Sequence, residues 1–337
     1  MFDFNLPEHL IAQHPAAQRD ESRLLVVRRG TGTLEHRTFR DLPELLNPGD
    51  LLVLNDTKVL PARVVGRRES TGGKWEGLFL RLVGDLWEML AQTRSYPEVG
   101  SVFVTDTGLR LTLRGRTEER HWLMEPEPRG TPAELLAQYG HIPLPPYIRK
   151  GTATDEDEVR YQTVYAAHVG SVAAPTAGLH FTPELFERLK ARGIETARVT
   201  LHVGLGTFLP VKVDDPTKHV IHREWCEVTQ DTVDAIRAAK ARNGRVVAVG
   251  TTTTRTLESA AQSGTLQPFG GETGLYILPP FEFRVVDAII TNFHLPRTTL
   301  LLLVSALAGS ELLRTAYAEA VKREYRFYSY GDAMLVW

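Results

Sequence analysis

The sequence has little of three things, and the first is cysteine: Cys226 is the only one in 337 residues. A lone cysteine cannot form a disulfide within the chain, so both a disulfide scaffold and a cysteine-rich zinc module are excluded. Long apolar runs are also missing, since residues 300–308, interrupted by Ser305, fall far short of the ~20 residues of a membrane span. The start, MFDFNLPEHL, lacks the basic segment of a signal peptide. We therefore expect a soluble, cytoplasmic protein.

An excess of charge of one sign is the third absence. The chain has 39 Lys and Arg against 41 Asp and Glu, which gives a net charge of −2. Nucleic-acid-binding proteins usually carry a basic surplus, so the total argues against such a partner. Residues 58–151, however, hold 14 Lys and Arg against 11 Asp and Glu, and the rest of the chain therefore carries −5. A near-zero total thus excludes only a protein that binds RNA over its whole surface.

Residues 58–151 have the pattern of short strands separated by turn residues. Residues 78–83 and 86–90 flank Gly84-Asp85, and residues 109–114 alternate apolar and polar side chains with period two. This spacing predicts a small antiparallel barrel or sandwich. Thr131, Pro132 and Glu134 form a helix-start signal, and Gly140 marks the end of that helix.

The rest of the chain alternates predicted strands and helices, which is typical of a layered α/β domain. We predict strands at 24–28, 50–54, 196–203, 245–249 and 285–291, and helices at 183–192, 231–242, from about 256, and from 298 to about 325 with a break at Gly309. The fold class is therefore α/β: a large mixed-sheet α/β domain, residues 1–57 and 152–337, with an inserted small antiparallel β-barrel domain, residues 58–151. The acidic run at 155–158 is interpreted as a solvated linker.

Polar residues cluster where these strands end, which is where open α/β sheets place their ligand crevice. Four consecutive threonines at 251–254 read as a loop before a helix, suited either to helix capping or to a nucleoside, carboxylate or phosphate. Arg255 favours a ligand loop, since a guanidinium there would clamp a carboxylate. Val203-Gly204-Leu205-Gly206 is only a weak match to a nucleotide-binding glycine loop.

Three histidines, His180, His202 and His294, each follow a strand-like segment. Together they are compatible with a metal site, but none has the short spacing of a helical metal pair, so a general acid or base role is favoured for at least one of them. Structural histidines at sheet ends are the alternative. The polar cluster of His219, His222, Glu224 and Glu227 is interpreted as a solvated strand face.

Six segments spread along the chain are long enough that a chance match is a poor explanation. They are LVLNDTKVLPAR (52–63), GSVAAPTAGLHFT (170–182), TLHVGLGTFLP (200–210), GTTTTRTLE (250–258), TNFHLPRTT (291–299) and YSYGDAM (328–334). These segments resemble those of the S-adenosylmethionine:tRNA ribosyltransferase-isomerase family of queuosine biosynthesis. Residues from about 67 to 129 carry no matching motif.

The resemblance implies a two-domain enzyme that takes S-adenosylmethionine as co-substrate and needs no metal. Its reaction would move the ribosyl group onto the aminomethyl group of 7-aminomethyl-7-deazaguanine, at the wobble position of the tRNA anticodon. The sugar would be isomerised to an epoxycyclopentanediol, giving epoxyqueuosine with release of adenine and methionine. We expect such a protein to bind the tRNA anticodon loop, to contact no membrane and to act as a monomer.

Such a reaction requires a base, an acid for the departing adenine, and groups that hold the methionine carboxylate and amine. We expect acid and base groups from His180, His202 and His294, and we expect Asp56 to supply a carboxylate for an ammonium or sulfonium. Arg255, Thr252 and Thr254 would hold the methionine end or the ribose. The remaining expected contacts to S-adenosylmethionine are Thr176, Gly178 and Asn292.

Arg110 and Arg114 fall on one face of their predicted strand, opposite the leucines, and Arg63 lies nearby in the barrel region. Either these arginines are solvated positions of an ordinary strand or they contact tRNA. Two rival functions remain open from sequence: a conventional S-adenosylmethionine-dependent tRNA methyltransferase using the Gly204–Gly206 loop, and a non-catalytic RNA-binding module built on the barrel.

Overall fold

The computed structural model describes residues 2–93, 96–204, 215–219 and 221–337. The chain divides into two compact units, the first formed by Met1–Lys58, Pro146–Lys150 and Arg160–Trp337, the second by Val59–Pro145 and Gly151–Val159. The strands are β1 (Arg23–Val27), β2 (Leu34–Thr38), β3 (Leu51–Asn55), β4 (Thr57–Val59), β5 (Arg63–Arg68), β6 (Lys74–Val83), β7 (Leu86–Thr93), β8 (Val102–Thr105), β9 (Arg110–Arg116), β10 (Trp122–Glu127), β11 (His168–Ser171), β12 (Glu195–Leu201), β13 (Glu224–Val228), β14 (Val246–Val249), β15 (Phe269–Thr273), β16 (Ala288–Asn292) and β17 (Ala333–Val336). The helices are α1 (Leu42–Leu45), α2 (Pro132–Tyr139), α3 (Asp155–Arg160), α4 (Pro183–Ala191), α5 (Gln230–Ala241), α6 (Thr251–Ala260), α7 (Thr299–Ala308) and α8 (Ser310–Lys322).

The second unit contains a closed antiparallel barrel with the strand order β10-β7-β6-β5-β8-β9. Its interior is aromatic, with Phe103 packed against both Trp75 and Trp122 at ring-centroid distances of 5.1 and 5.3 Å. At Gly66 a Cβ would lie 2.4 Å from the Val104 carbonyl oxygen, so only glycine permits β5 and β8 to approach this closely. The predicted inserted antiparallel barrel is confirmed.

The first unit is built on a nine-stranded mixed sheet with the order β15-β13-β12-β3-β14-β16-β17-β1-β2. The four central strands β12, β3, β14 and β16 are mutually parallel, whereas β16 and β17 pair antiparallel. The predicted large mixed sheet is therefore confirmed, and both N-terminal strands β1 and β3 belong to it. Because parallel strands end at the same edge, the carboxyl ends of these four strands bring together residues distant in sequence.

Alternating side chains of the central strands pack on opposite faces of this sheet. In β3, Leu52 and Leu54 pack with α1 and α4, while Leu51 and Val53 pack with α5 and α6. Toward the other end of the sheet, α7 and α8 cover β1, β16 and β17. The strands are buried on both faces, which explains why they read as continuous apolar runs rather than as alternating ones.

The threonines 251–254 are not a loop, as the sequence suggested, but the first turn of α6, which begins at Thr251 and not near Thr256. Gly250 precedes them with φ of +94°, a backbone conformation that favours glycine. β-Branched residues are unfavourable helix formers, yet here the hydroxyls of Thr253 and Thr254 donate to carbonyls four residues back, at 2.7 and 3.1 Å.

The acidic run 155–158 is likewise not a linker, because it forms most of helix α3. Asp157 is buried and accepts hydrogen bonds from both the backbone N–H and the hydroxyl of Thr154, at 2.7 and 2.8 Å. A carboxylate close to a helix start is stabilising because it satisfies free N–H groups there. Strand β15 was not predicted from the sequence, since it contains Gly270 and Gly271.

Across the described part of the chain, no single helix combines the length and the apolar composition needed to cross a membrane. The helices α7 and α8 meet those two criteria only when counted as a pair, and they are bent by 115° relative to each other.

Candidate active site

An open cavity of about 800 Å³, counting the solvent at its mouth, lies at the carboxyl edge of the parallel strands. Gly250 follows β14, Asn292 ends β16, and Val203 lies just beyond β12. Among the residues that the structure describes, no Lys, Arg, Asp or Glu side chain lines this cavity. The polar side chains that line it are those of Tyr147, Thr176, Thr251, Thr252, Thr291, Asn292, His294, Thr298, Tyr328 and Ser329.

Asn55, the last residue of β3, joins the elements around this edge. Its carboxamide nitrogen donates to the Leu201 carbonyl at 3.0 Å and to the Thr252 hydroxyl at 3.2 Å. Its carboxamide oxygen accepts from the backbone N–H groups of Leu201 and Thr57, at 3.0 and 3.2 Å. Asn55 is fully buried, and all of these groups would otherwise lack partners. It therefore fixes β12, the start of α6 and the chain after β3 relative to one another.

The two residues after Asn55 hold a pair of histidines. The buried Asp56 accepts hydrogen bonds from the Thr200 hydroxyl at 2.8 Å and from His168 Nδ1 at 3.1 Å. The His168 side chain is mostly exposed, so a carboxylate orients an imidazole that solvent can reach. Sequence reasoning found Asp56 but missed His168, which has no motif signal of its own and is placed by the pairing of β4 with β11.

His202 lies beside this dyad. Its Nδ1 is 2.8 Å from the Thr57 hydroxyl, and its ring stacks on Trp225 with centroids 5.2 Å apart. A Cβ at Gly170 would lie 2.7 Å from His202 Nε2, so glycine at that position leaves room for the ring. Burial and the neighbouring His168 lower the pKa of His202 below its ordinary value of 6.5. The imidazole is therefore neutral at pH 7 and can accept a proton.

His180 and His294 are buried, and burial lowers the pKa of each from 6.5 to about 3, with Arg326 and Arg19 also contributing at His180. His294 lines the cavity and its Nε2 lies 2.7 Å from the Thr291 hydroxyl. His180 does not line the cavity: it stacks on Phe39 and hydrogen-bonds Ser22 and Asn292. Both imidazoles are neutral and weakly basic, which makes them poor general bases near pH 7.

Arg255 lines a second, smaller cavity of about 440 Å³ counting the open solvent, which shares Leu300 with the first. Its guanidinium forms a buried ion pair with Glu224 and donates from Nε to the Leu275 carbonyl at 3.2 Å. Glu224 also accepts from the Gly204 N–H at 2.9 Å. Arg255 Nη2 is buried and has no hydrogen-bond partner in the described residues. Glu224 is thus a buried strand residue, not part of a solvated strand face as expected from sequence.

The structure brings Thr176, Thr252, Asn292 and His294 together around the first cavity. The other predicted site residues lie elsewhere: Asp56 and His202 in the neighbouring histidine cluster, Arg255 in the second cavity, and His180 behind Asn292. Thr254 is fully buried and its hydroxyl donates within α6, while Gly178 is buried against the Tyr165 hydroxyl. Of the glycine loop considered in sequence, Leu205 and Gly206 lie outside the described residues.

Three predicted histidines do not form a metal site, since each has different partners. Within the described ranges, no group of three His, Cys, Asp or Glu is arranged to hold a metal ion. Among the cavity residues that were not predicted from the sequence are Tyr147, Tyr328 and Ser329. Tyr328 and Ser329 lie in a motif quoted for the family resemblance, but their role depends on contacts with Tyr147. The hydroxyls of Tyr147 and Ser329 are hydrogen-bonded although the two residues are 182 positions apart in the sequence.

The predicted RNA-contacting arginines of the barrel all have carboxylate partners. Arg63 pairs with Glu76 at 2.7 Å, Arg110 with Glu69 at 2.6 Å, and Arg114 with Glu125. Arg110 and Arg114 do share an outward face of β9, as predicted, opposite buried Leu111 and Leu113. By contrast, Arg67 is exposed, and among described residues its guanidinium donates only to the Gly72 carbonyl, at 3.4 Å.

A mixed α/β sheet with an open cavity at the ends of its parallel strands is the arrangement typical of ligand-binding α/β proteins, here with an inserted barrel. The chain belongs to a particular family of this class, described as queuosine biosynthesis protein, which matches residues 1–336.

Relatives named S-adenosylmethionine:tRNA ribosyltransferase-isomerase are similar over nearly the full length. The protein from Symbiobacterium thermophilum is 52% identical, covering 99% of this chain and 98% of its own, and that from Thermotoga petrophila is 50% identical with the same coverage. The crystal structure of the S-adenosylmethionine tRNA ribosyltransferase from Thermotoga maritima is similar with a TM-score of 0.58 and 41% identity, covering 100% of this chain and 99% of that one. These relatives give no support to the methyltransferase alternative.

Replacing Asn55 by leucine should lower the free energy of unfolding by about 3–5 kcal/mol, because Leu201 N–H and C=O and Thr57 N–H would be buried unpaired at about 1–3 kcal/mol each. Urea denaturation measures this change. The control is Asn47→Leu at an exposed position, which should change the free energy by no more than about 0.5 kcal/mol. An Asn55→Leu variant with the wild-type urea midpoint would contradict the role assigned to Asn55.

Proposed function

We propose that this chain is an S-adenosylmethionine:tRNA ribosyltransferase-isomerase that acts on the 7-aminomethyl-7-deazaguanine wobble base of tRNA. It transfers and isomerises the ribosyl group of S-adenosylmethionine, gives epoxyqueuosine-tRNA, and releases adenine and methionine. Membership of the queuosine biosynthesis family supports this function. The structural observation that carries it is a cavity at the strand ends with no charged side chain in its described lining, next to a cluster of two histidines and a carboxylate.

The nucleoside of S-adenosylmethionine occupies the larger cavity. This cavity is an open cleft at the carboxyl ends of parallel strands, which is where α/β proteins bind small ligands. Its lining of hydroxyls, one carboxamide and two tyrosine rings suits a neutral, flat and hydrogen-bonding group such as an adenosine. A phosphate or an isolated carboxylate would find no cationic side chain among the described residues of this lining.

The methionine end reaches the second cavity, which Leu300 separates from the first. Here Arg255 Nη2, which is buried and has no partner among the described residues, donates to the methionine carboxylate. Glu224, which already balances the Arg255 charge, is the matching group for the ammonium. This assignment keeps the methionine role expected for Arg255 but replaces Thr254, whose hydroxyl is engaged within its own helix.

The residues that transfer protons are His202 and His168. Of the three histidines expected from sequence, only His202 keeps this role. The sulfonium acidifies the adjacent ribose 5′ C–H, and a neutral imidazole removes that proton to give an ylide. Adenine then departs, the tRNA amine attacks the sugar, and methionine leaves as the epoxide closes. His202 is the base, and His168, oriented by Asp56, donates a proton to the departing adenine. His294, which lines the larger cavity, donates a hydrogen bond to the substrate.

The barrel contacts the tRNA backbone through exposed arginines. Arg110 and Arg114 can contribute only by exchanging a carboxylate partner for a phosphate, whereas Arg67 has no such partner among the described residues. The cross-strand neighbour of Arg67 is the exposed Lys74, which adds a second positive charge to the same site. A small number of cationic contacts is consistent with an enzyme that must release its tRNA after modification.

The products of the reaction test the proposed function. Incubation with S-adenosylmethionine and tRNA carrying 7-aminomethyl-7-deazaguanine should release adenine and methionine in equal amounts, which chromatography of the small molecules measures. The same tRNA with guanine at that position lacks the nucleophilic amine and should give no release. S-adenosylhomocysteine as product would instead identify a methyltransferase, and the absence of turnover would favour a non-catalytic RNA-binding module.

Replacing His202 by glutamine should lower kcat/KM for adenine release about 10²–10⁴-fold, because it removes the base. In the wild type the base must be deprotonated, so activity should be lost as the pH falls through its pKa, which lies below 6.5. A pH profile of adenine release from about pH 5 to about pH 8 measures both effects. His9→Gln, at an exposed position, is the control. Wild-type activity in His202→Gln would rule this role out.

Replacing Arg67 by glutamine should reduce the slope of log K against log salt for tRNA binding by about 1, because one phosphate contact is lost. Arg110→Gln should change the slope by less than half as much, since the ion pair with Glu69 already neutralises that guanidinium. Filter binding over a salt titration measures both slopes. A larger effect at Arg110 than at Arg67 would place the contact on β9 instead.

A further inference from the structure

The carboxamide of Asn292 has a defined orientation. Its nitrogen donates to the Tyr328 carbonyl at 3.2 Å, and because a carbonyl can only accept, the atom facing it must be the nitrogen. The same nitrogen lies 3.1 Å from His180 Nε2. With both of its N–H groups committed, Asn292 can offer only its oxygen to a ligand.

His180 supports this orientation from behind. Its Nδ1 lies 2.7 Å from the Ser22 hydroxyl, which itself donates to the Arg19 carbonyl at 3.3 Å. The hydroxyl therefore accepts from Nδ1–H, and Nε2 carries the lone pair that accepts from Asn292. This tautomer is neutral, in agreement with a pKa lowered to about 3 by burial and by Arg326 and Arg19. His180 thus has both ring nitrogens engaged and does not line the larger cavity.

The oxygen of Asn292 is the unsatisfied atom of this arrangement. Asn292 is 2% exposed and lines the larger cavity, yet its Oδ1 is buried and accepts no hydrogen bond among the described residues. A buried acceptor without a partner is unfavourable, so such atoms are expected where a ligand completes them. Tyr328, whose carbonyl fixes the amide, has φ of +72°, a strained conformation of the kind found at binding sites.

The surroundings indicate which ligand group the oxygen meets. The rings of Tyr147 and Tyr328 lie 4.2 Å apart at their centroids and line the same cavity. A planar aromatic base fits beside such rings, and the absence of charged side chains in the described lining disfavours an ammonium as the donor. A purine with an exocyclic amino group combines a flat ring with an uncharged N–H donor at its edge.

We propose that Asn292 is a specificity-determining residue whose Oδ1 accepts a hydrogen bond from the exocyclic amino group of adenine, and that His180 is a positioning residue that holds this carboxamide in place. This proposal rests on the function proposed above, since it takes the nucleoside of S-adenosylmethionine as the occupant of the cavity. It assigns to His180 a role other than the acid or base role expected from sequence.

The test compares S-adenosylmethionine with S-inosylmethionine, in which a 6-oxo group replaces the amino group. With modified tRNA present, kcat/KM for base release should be about 10- to 100-fold higher for the adenine substrate in the wild type, because the 6-oxo group offers no donor to the buried oxygen. Asn292→Ala should lose most of this preference, because only kcat/KM for S-adenosylmethionine should fall. Asn47→Ala, exposed and remote from the site, should keep it.

Variants of His180 test the positioning role. His180→Gln offers a side-chain acceptor to the Asn292 amide and should keep both kcat and the preference for adenine. His180→Leu offers none and should raise KM for S-adenosylmethionine about 2- to 10-fold with little change in kcat or in its pH profile. A catalytic acid or base would behave differently, since both variants would then lose kcat to the same large extent.

The outcomes separate this proposal from the proposed function. If the wild type releases base from both substrates with equal kcat/KM, the role of Asn292 is overturned while the function stands. If no adenine is released from S-adenosylmethionine at all, the proposed function fails and the assignment of Asn292 fails with it. The comparison of substrates in the wild type requires no variant, so the proposal remains testable even if a His180 variant does not fold.

Discussion

The buried carboxamide of Asn55 is the constraint on which the site depends. Its four hydrogen bonds join the end of β3 to β12, to the first turn of α6 and to the chain leading into β4. The larger cavity lies on the α6 side of this residue, and the cluster of Asp56, His168 and His202 lies on the other. A carboxamide can serve all of these elements because it presents donors and acceptors from one planar group, which neither a carboxylate nor an apolar side chain does.

Burial decides which histidines can exchange protons. His180 and His294 are enclosed so completely that the charged imidazole is strongly disfavoured, and each serves as a neutral hydrogen-bonding group. His202 is only partly buried and His168 is mostly exposed, so these two keep access to solvent and to a substrate. The same residue type thus supplies rigid support on one side of the crevice and titratable groups on the other.

Charged side chains are also distributed unevenly between the two cavities. The larger cavity is uncharged in its described lining, while the smaller one contains the buried pair of Arg255 and Glu224. A substrate with a neutral nucleoside and a zwitterionic amino-acid end matches this division. In the barrel, glutamates pair with Arg63, Arg110 and Arg114, which reduces the number of cations available to a polyanion. The net charge of the whole chain is therefore uninformative about RNA.

The sequence alone determined the α/β class, the inserted barrel, most helix limits and the family, because apolar periodicity, capping residues and long motifs are local signals. The resemblance also led to the prediction of Thr176, Thr252, Asn292 and His294, which the structure places around one cavity. Only the tertiary structure decided that the four threonines form a helix, that Glu224 pairs with Arg255, that Asp56 orients His168, and that His180 supports Asn292. Those facts depend on burial and on contacts between residues far apart in the chain, which local patterns do not encode.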